Sequence, residues 1–155
     1  MIKITNPNEV AKKLVKAVDK LGFPIDEGIF RSVVILNSLG YKTDGSCEGH
    51  SDRYNTYPWI DIIWNEEITP EYYNSSLNFF YKYLFQDLKE FYENRKVPDN
   101  QSLIFTKFDS KKVSIRLSSK GNRNCYTNSS EKLQLYLTEL IDFCEFLNQK
   151  YNLNY

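Results

Sequence analysis

Apolar positions recur at helical spacing in four stretches of the chain and at strand spacing in three others. In the first stretch Val10, Leu14, Ala17, Val18 and Leu21 form one stripe, the periodicity of an amphipathic helix. Asn6 stands at the cap position, Pro7 at the first helical position and Gly22 just past the end, so a helix is expected over residues 7–21. A second helix opens with Asp26 as its cap, carries Ile29, Phe30, Val33, Val34 and Leu36, and stops at Gly40. So many apolar residues in few turns predict a mostly buried helix, and Gly28 only blurs where it starts. A third helix is expected over residues 71–95, capped by Thr69 ahead of Pro70 and striped by Leu77, Phe80, Leu84, Leu88 and Phe91. The last runs from Asn128, with Glu131 completing a capping box, to about residue 151. Its stripe is Leu133, Leu137, Leu140, Ile141, Cys144 and Leu147.

Strands are expected over residues 41–47 and 58–64. In the second, Ile60, Ile62 and Trp64 share one face, and Trp59, Asp61 and Ile63 share the other. The two tryptophans read as packing residues. Asp61 stands out, because a carboxylate in mid-strand must meet water, a cation or a ligand. Residues 103–108 and 112–118 form a hairpin around Asp109-Ser-Lys-Lys112. Pairing Phe108 with Val113 puts Ile104, Thr106 and Phe108 with Val113, Ile115 and Leu117 on the core face. Leu103, Phe105 and Lys107 then share the opposite face with Ser114, Arg116 and Ser118. The order is α-α-β-β-α-β-β-α, which predicts a single α+β domain over residues 1–155 with a four-stranded antiparallel sheet packed with helices.

Composition narrows the function classes. Lys+Arg and Asp+Glu both number 20, so the broad basic footprint of a protein that grips long nucleic acid is missing. No apolar run is long enough to span a membrane. The N-terminus has no apolar leader-like segment, and three cysteines (Cys47, Cys125, Cys144) without an export signal point to reduced thiols and a cytoplasmic setting. Aromatic residues make up 15% of the chain. Either codon bias fills the core with rings, or some rings form a stacking or partner surface. The third helix is apolar round much of its circumference, which suits a homo-oligomer interface or a protein-binding face.

Candidate chemistry is concentrated in the loop 44–53. It holds the only histidine, His50, with Ser46, Cys47, Glu48, Asp52 and Arg53 beside it and Gly45 and Gly49 interleaved. Four readings compete. Cys47 and His50 can ligate a metal with Asp52 or Asp61, although a closed zinc site needs four ligands. Cys47 can be a thiolate nucleophile with His50 as its base. The loop amides, His50 and Arg53 can converge on an anionic or nucleotide-like ligand, with Phe105, Lys107 and Arg116 adding stacking and charge from the open sheet face. Finally, Cys47 can be a small buried hydrophobe while His50 and Asp52 satisfy backbone groups. No phosphate-binding glycine loop, hydrolase elbow or metalloprotease signature is present.

The string Leu39-Gly-Tyr-Lys-Thr-Asp-Gly-Ser-Cys-Glu-Gly-His50, followed by Tyr57-Pro-Trp-Ile-Asp-Ile62, resembles small uncharacterised bacterial and phage proteins. These share a Thr-x-x-Ser-Cys-x-Gly-His signature ahead of a Tyr-Pro-aromatic strand. The resemblance covers about 25 of the 155 residues and assigns no catalytic roles. It implies a bacterial or prophage setting, in which small cytoplasmic proteins sequester signals or inhibit host proteins. The expectation is a non-enzymatic small-ligand-binding module without a cofactor. The alternatives are an enzyme built on Cys47 and His50, with or without metal, and an inhibitor working through the third helix.

Overall fold

The computed structural model describes residues 2–19, 21–50, 57–63, 81–107, 114–122 and 129–155. Among these, the elements follow the expected α+β order. Helix α1 spans Pro7–Leu14, α2 Glu27–Ser38, α3 Gln86–Glu93 and α4 Ser130–Lys150. Strands β1 (Lys42–Glu48), β2 (Pro58–Ile63), β3 (Leu103–Lys107) and β4 (Ser114–Ser119) form one antiparallel sheet in the order β1-β2-β4-β3.

Three details depart from the sequence pattern. Helix α1 stops at Leu14, well short of residue 21. Beyond it Asp19 Oδ1 accepts the amides of Leu21 at 2.8 Å and Phe23 at 2.9 Å, and Val18 bridges to Pro24. A side chain that satisfies nearby amides in a turn competes with the next helical turns and here displaces them. The apolar residues meant for the stripe are left outside, with Val18 62% and Leu21 81% exposed. Next, α4 is capped by Ser129, whose hydroxyl accepts the Lys132 amide at 3.3 Å; Asn128 lies outside the described residues, as do Thr69, Trp64 and the expected third-helix positions 71–80. A π-helical turn, Tyr81–Phe85, leads into α3.

The third departure is the register of the second hairpin. Leu103 faces Ser119, Phe105 faces Leu117 and Lys107 faces Ile115. This is one residue away from the pairing that Phe108 and Val113 would set. Because side chains alternate, a slip of one exchanges the two faces of a strand. Phe105 and Lys107 therefore lie with Leu117 and Ile115 on the core side, and Ile104 and Thr106 lie with Ser118 and Arg116. Leu103 is buried and Phe105 packs against the core.

The core lies between that side of the sheet and the helices. Ile60, Ile62 and Leu117 from the sheet, Ile29 and Leu36 from α2, and Leu140, Phe143 and Leu147 from α4 are all fully buried in one cluster. Each such side chain contributes on the order of 1.5–3 kcal/mol by leaving water. Part of the aromatic excess is accounted for here: the Phe91 ring packs 5.4 Å from Phe143 and 5.6 Å from Phe146, centroid to centroid, spacings that suit ring quadrupoles. Among the described residues no helix is long and apolar enough to cross a membrane.

Candidate functional site

The chain returns on itself between α2 and β1, and this brings the end of β1 beside the start of α2. Two reciprocal hydrogen bonds lock the junction. The Glu48 amide donates to Asp26 Oδ2 at 3.0 Å, and the Gly28 amide donates to Glu48 Oε2 at 2.7 Å. Asp26 holds the N-cap position of α2, yet its side chain makes no capping hydrogen bond. Glu48 supplies that acceptor from the neighbouring strand, which serves a helix N-terminus as well as a local carboxylate would. Gly28 leaves the room for it, because a Cβ there would come within 2.5 Å of Glu48 Oε2.

With its capping role taken over, the Asp26 carboxylate faces Cys47 and His50. His50 Nε2 lies 3.3 Å from Asp26 Oδ2. One ligating atom from each of Asp26, Cys47 and His50 falls within 4.8 Å of the other two. The Gly49 amide donates to Cys47 Sγ at 3.4 Å. Gly49 itself has φ +86°, and a Cβ on it would come within 2.8 Å of Pro58 Cδ, so the residue just before His50 has to be glycine. Burial pushes the Cys47 thiol above its ordinary value; the Gly49 amide works the other way, and the Asp26 charge adds to the rise. A thiol shifted in this direction is a weaker nucleophile at neutral pH than one whose pKa is lowered.

The trio opens onto a cleft of about 720 Å³ that runs along the outer edge of β1. Val18, Leu21, Phe23, Ile25 and Trp59 give its lining apolar surface. Four carboxylates, Asp19, Asp26, Glu27 and Asp44, line the same cleft, Asp19 from the turn that also carries Leu21 and Phe23. His50 is the only basic side chain among the described residues lining it. Trp59 lines it from β2, and Gly45 leaves space for its indole, since a Cβ there would sit 3.1 Å from the ring.

The sequence-predicted residues thus separate into groups. Ser46, Cys47 and His50 line the cleft, while Glu48 turns to the helix start. Asp61 and Arg116 pair with each other: Nε donates to Oδ1 at 2.7 Å and Nη2 to Oδ2 at 2.8 Å. Tyr57 Oη accepts from Arg116 Nη1 at 3.1 Å, and the guanidinium stacks 3.9 Å over the Trp59 ring. Both partners are only 8% exposed. The cation that Asp61 requires is therefore Arg116, and both charges are used within the sheet. Phe105 and Lys107 lie on the other side of the sheet from Arg116, so these three do not form one ligand surface; the hairpin register is the reason. Asp52 and Arg53 lie outside the described residues. Two residues of the site were given other roles by the sequence pattern, Asp26 as a helix cap and Trp59 as packing. No family model, curated protein or solved structure matches the chain.

Proposed function

We propose that the chain is a small-ligand-binding module whose cleft along β1 takes a compact ligand with an apolar body and a positively charged head. The observation that carries this reading is the lining. Val18, Leu21 and Phe23 offer apolar surface that is otherwise left in water, 62%, 81% and 63% exposed, and Asp19, Asp26, Glu27 and Asp44 line the same cleft. Pockets of this kind draw affinity from apolar burial and orientation from a few charged groups. The charge balance favours a cation over the anionic or nucleotide-like ligand that the loop composition suggests, because an anion would meet four carboxylates and one imidazole.

The test is isothermal calorimetry with two series of probes: arylalkylamines and aliphatic diamines on one side, nucleotides and cyclic nucleotides on the other. The amines are expected to bind and to shift Trp59 fluorescence. Phe23→Ser removes exposed apolar wall without touching the core and should weaken binding by about 1–2 kcal/mol. Heat with nucleotides and none with amines would sink the reading.

A further inference from the structure

We propose that Asp26, Cys47 and His50, which line the cleft, form a site for a divalent cation of the zinc class. The inference goes beyond the organic ligand proposed for the cleft and rests on the geometry of the trio itself.

Three observations support it independently of the acidic lining. The first is the donor set. A sulfur, an imidazole nitrogen and a carboxylate oxygen are the ligands zinc accepts, and calcium or magnesium would call for oxygen alone. The second is spacing. Oxygen and nitrogen on a tetrahedral zinc, with bonds of about 2.0–2.1 Å, stand about 3.4 Å apart. His50 Nε2 and Asp26 Oδ2 are 3.3 Å apart, and the three donors stay within 4.8 Å of one another, so small side-chain rotations close the set. The third is support from behind the ligands. Asp26 Oδ2 is fixed by the Glu48 amide and Cys47 Sγ receives the Gly49 amide. Backbone donors of this kind orient ligands and stabilise a thiolate once a metal has displaced its proton. The transfer of α2 capping from Asp26 to Glu48 belongs with these: an aspartate at a helix start that leaves capping to a distant glutamate keeps its own carboxylate for the trio.

Among the described residues the trio supplies three protein ligands. Three ligands with a fourth position open is the arrangement of zinc sites that bind an exogenous group, whereas structural sites close with four. Here the open position would face the cleft, where a water or a donor atom of a bound molecule completes the tetrahedron. Cys144, the other free thiol described, is fully buried in the core and takes no part.

The experiment is a titration of the chelator-treated, reduced full-length chain with Co²⁺, followed by absorption and calorimetry, with Zn²⁺ competition. One equivalent should bind, with visible bands of a tetrahedral ion and a near-ultraviolet thiolate-to-cobalt band, and Zn²⁺ should displace it. Cys47→Ser should abolish the near-ultraviolet band, and His50→Ala should lower affinity by at least about 100-fold. Far-ultraviolet dichroism and thermal melts of the variants show whether the fold is intact. The wild-type titration stands by itself should a variant fail to fold. No Co²⁺ binding, or a thiolate band that persists in Cys47→Ser, overturns the site. If the metal-free chain binds amines but not Co²⁺, the metal is wrong and the cleft reading stands; if neither binds, both fall.

Discussion

Removing the Asp61 carboxylate should destabilise the protein far more than its single negative charge suggests. Asp61→Ala leaves the Arg116 guanidinium in a site where it is 8% exposed, without the charge-assisted bonds at 2.7 and 2.8 Å. Breaking a buried pair from one side costs about 3–5 kcal/mol, because the remaining charge is uncompensated. The Tyr57 hydroxyl and the Trp59 face still contact Arg116, which places the expected loss at the low end, about 3 kcal/mol. With a urea m-value of about 2 kcal/mol/M, the unfolding midpoint should fall by about 1.5 M at unchanged slope. The double variant Asp61→Ala with Arg116→Met removes the stranded charge and fills part of its volume. It should recover most of the loss, and the cycle of four proteins gives the coupling directly. An Asp61→Ala loss under about 1 kcal/mol, or a double variant no more stable than the single, would mean that the pair behaves as a hydrated surface bridge. The account of Arg116 as a charge used up inside the sheet would then fail.

Two further outcomes are expected. Gly49→Ala and Gly22→Ala both place a side chain at positive φ, +86° and +84°, but only the first drives a Cβ against Pro58, while the second meets nothing within 4 Å. Thermal denaturation should show Gly22→Ala costing about 1 kcal/mol and Gly49→Ala at least about 2; equal losses would remove the packing part of the explanation. The second concerns pH. The Arg31 hydrogen bond holds Glu145 below its ordinary range, partly opposed by burial. A group depressed in this way stabilises the fold above its unfolded value of about 4.3 and loses that contribution as pH falls through the folded value. Glu145→Gln should therefore lose less stability than the wild type between about pH 6 and about pH 3 in urea titrations. Parallel acid limbs would refute it.

The fold was largely legible because most of its helices and strands carry a dominant apolar period. Ile60 and Ile62 alternate on either side of Asp61, and Leu133, Leu140, Cys144 and Leu147 repeat at helical spacing; all six are buried. Legibility failed where two patterns tie. In Leu103-Ile-Phe-Thr-Lys107 both parities carry apolar residues, so alternation alone cannot choose the core face, and the one-residue choice decided whether Phe105 and Lys107 join Arg116. It failed too at α1, where Asp19 offers the backbone a competing turn within an apolar stripe. For the site, Cys47 and His50 were visible as a short cluster, but Asp26 was not. Its place does follow from lengths. A 12-residue α2 rises about 18 Å, and a 7-residue β1 running back covers about 23 Å. The strand must then end beside the residue that opened the helix.

The order β1-β2-β4-β3 leaves β1 at a margin of the sheet, where bare amides invite a foreign strand to add on. Two of its amides are already answered by side chains from the adjoining helix and its lead-in: Thr43 donates to Asn37 Oδ1 at 3.5 Å and Glu48 to Asp26 Oδ2 at 3.0 Å. A bulge between Thr43 and Gly45 further interrupts the regular row. A polypeptide approaching that margin finds an uneven template with its terminal positions taken. The same carboxylate that faces Cys47 and His50 thereby also guards the sheet against self-templating growth.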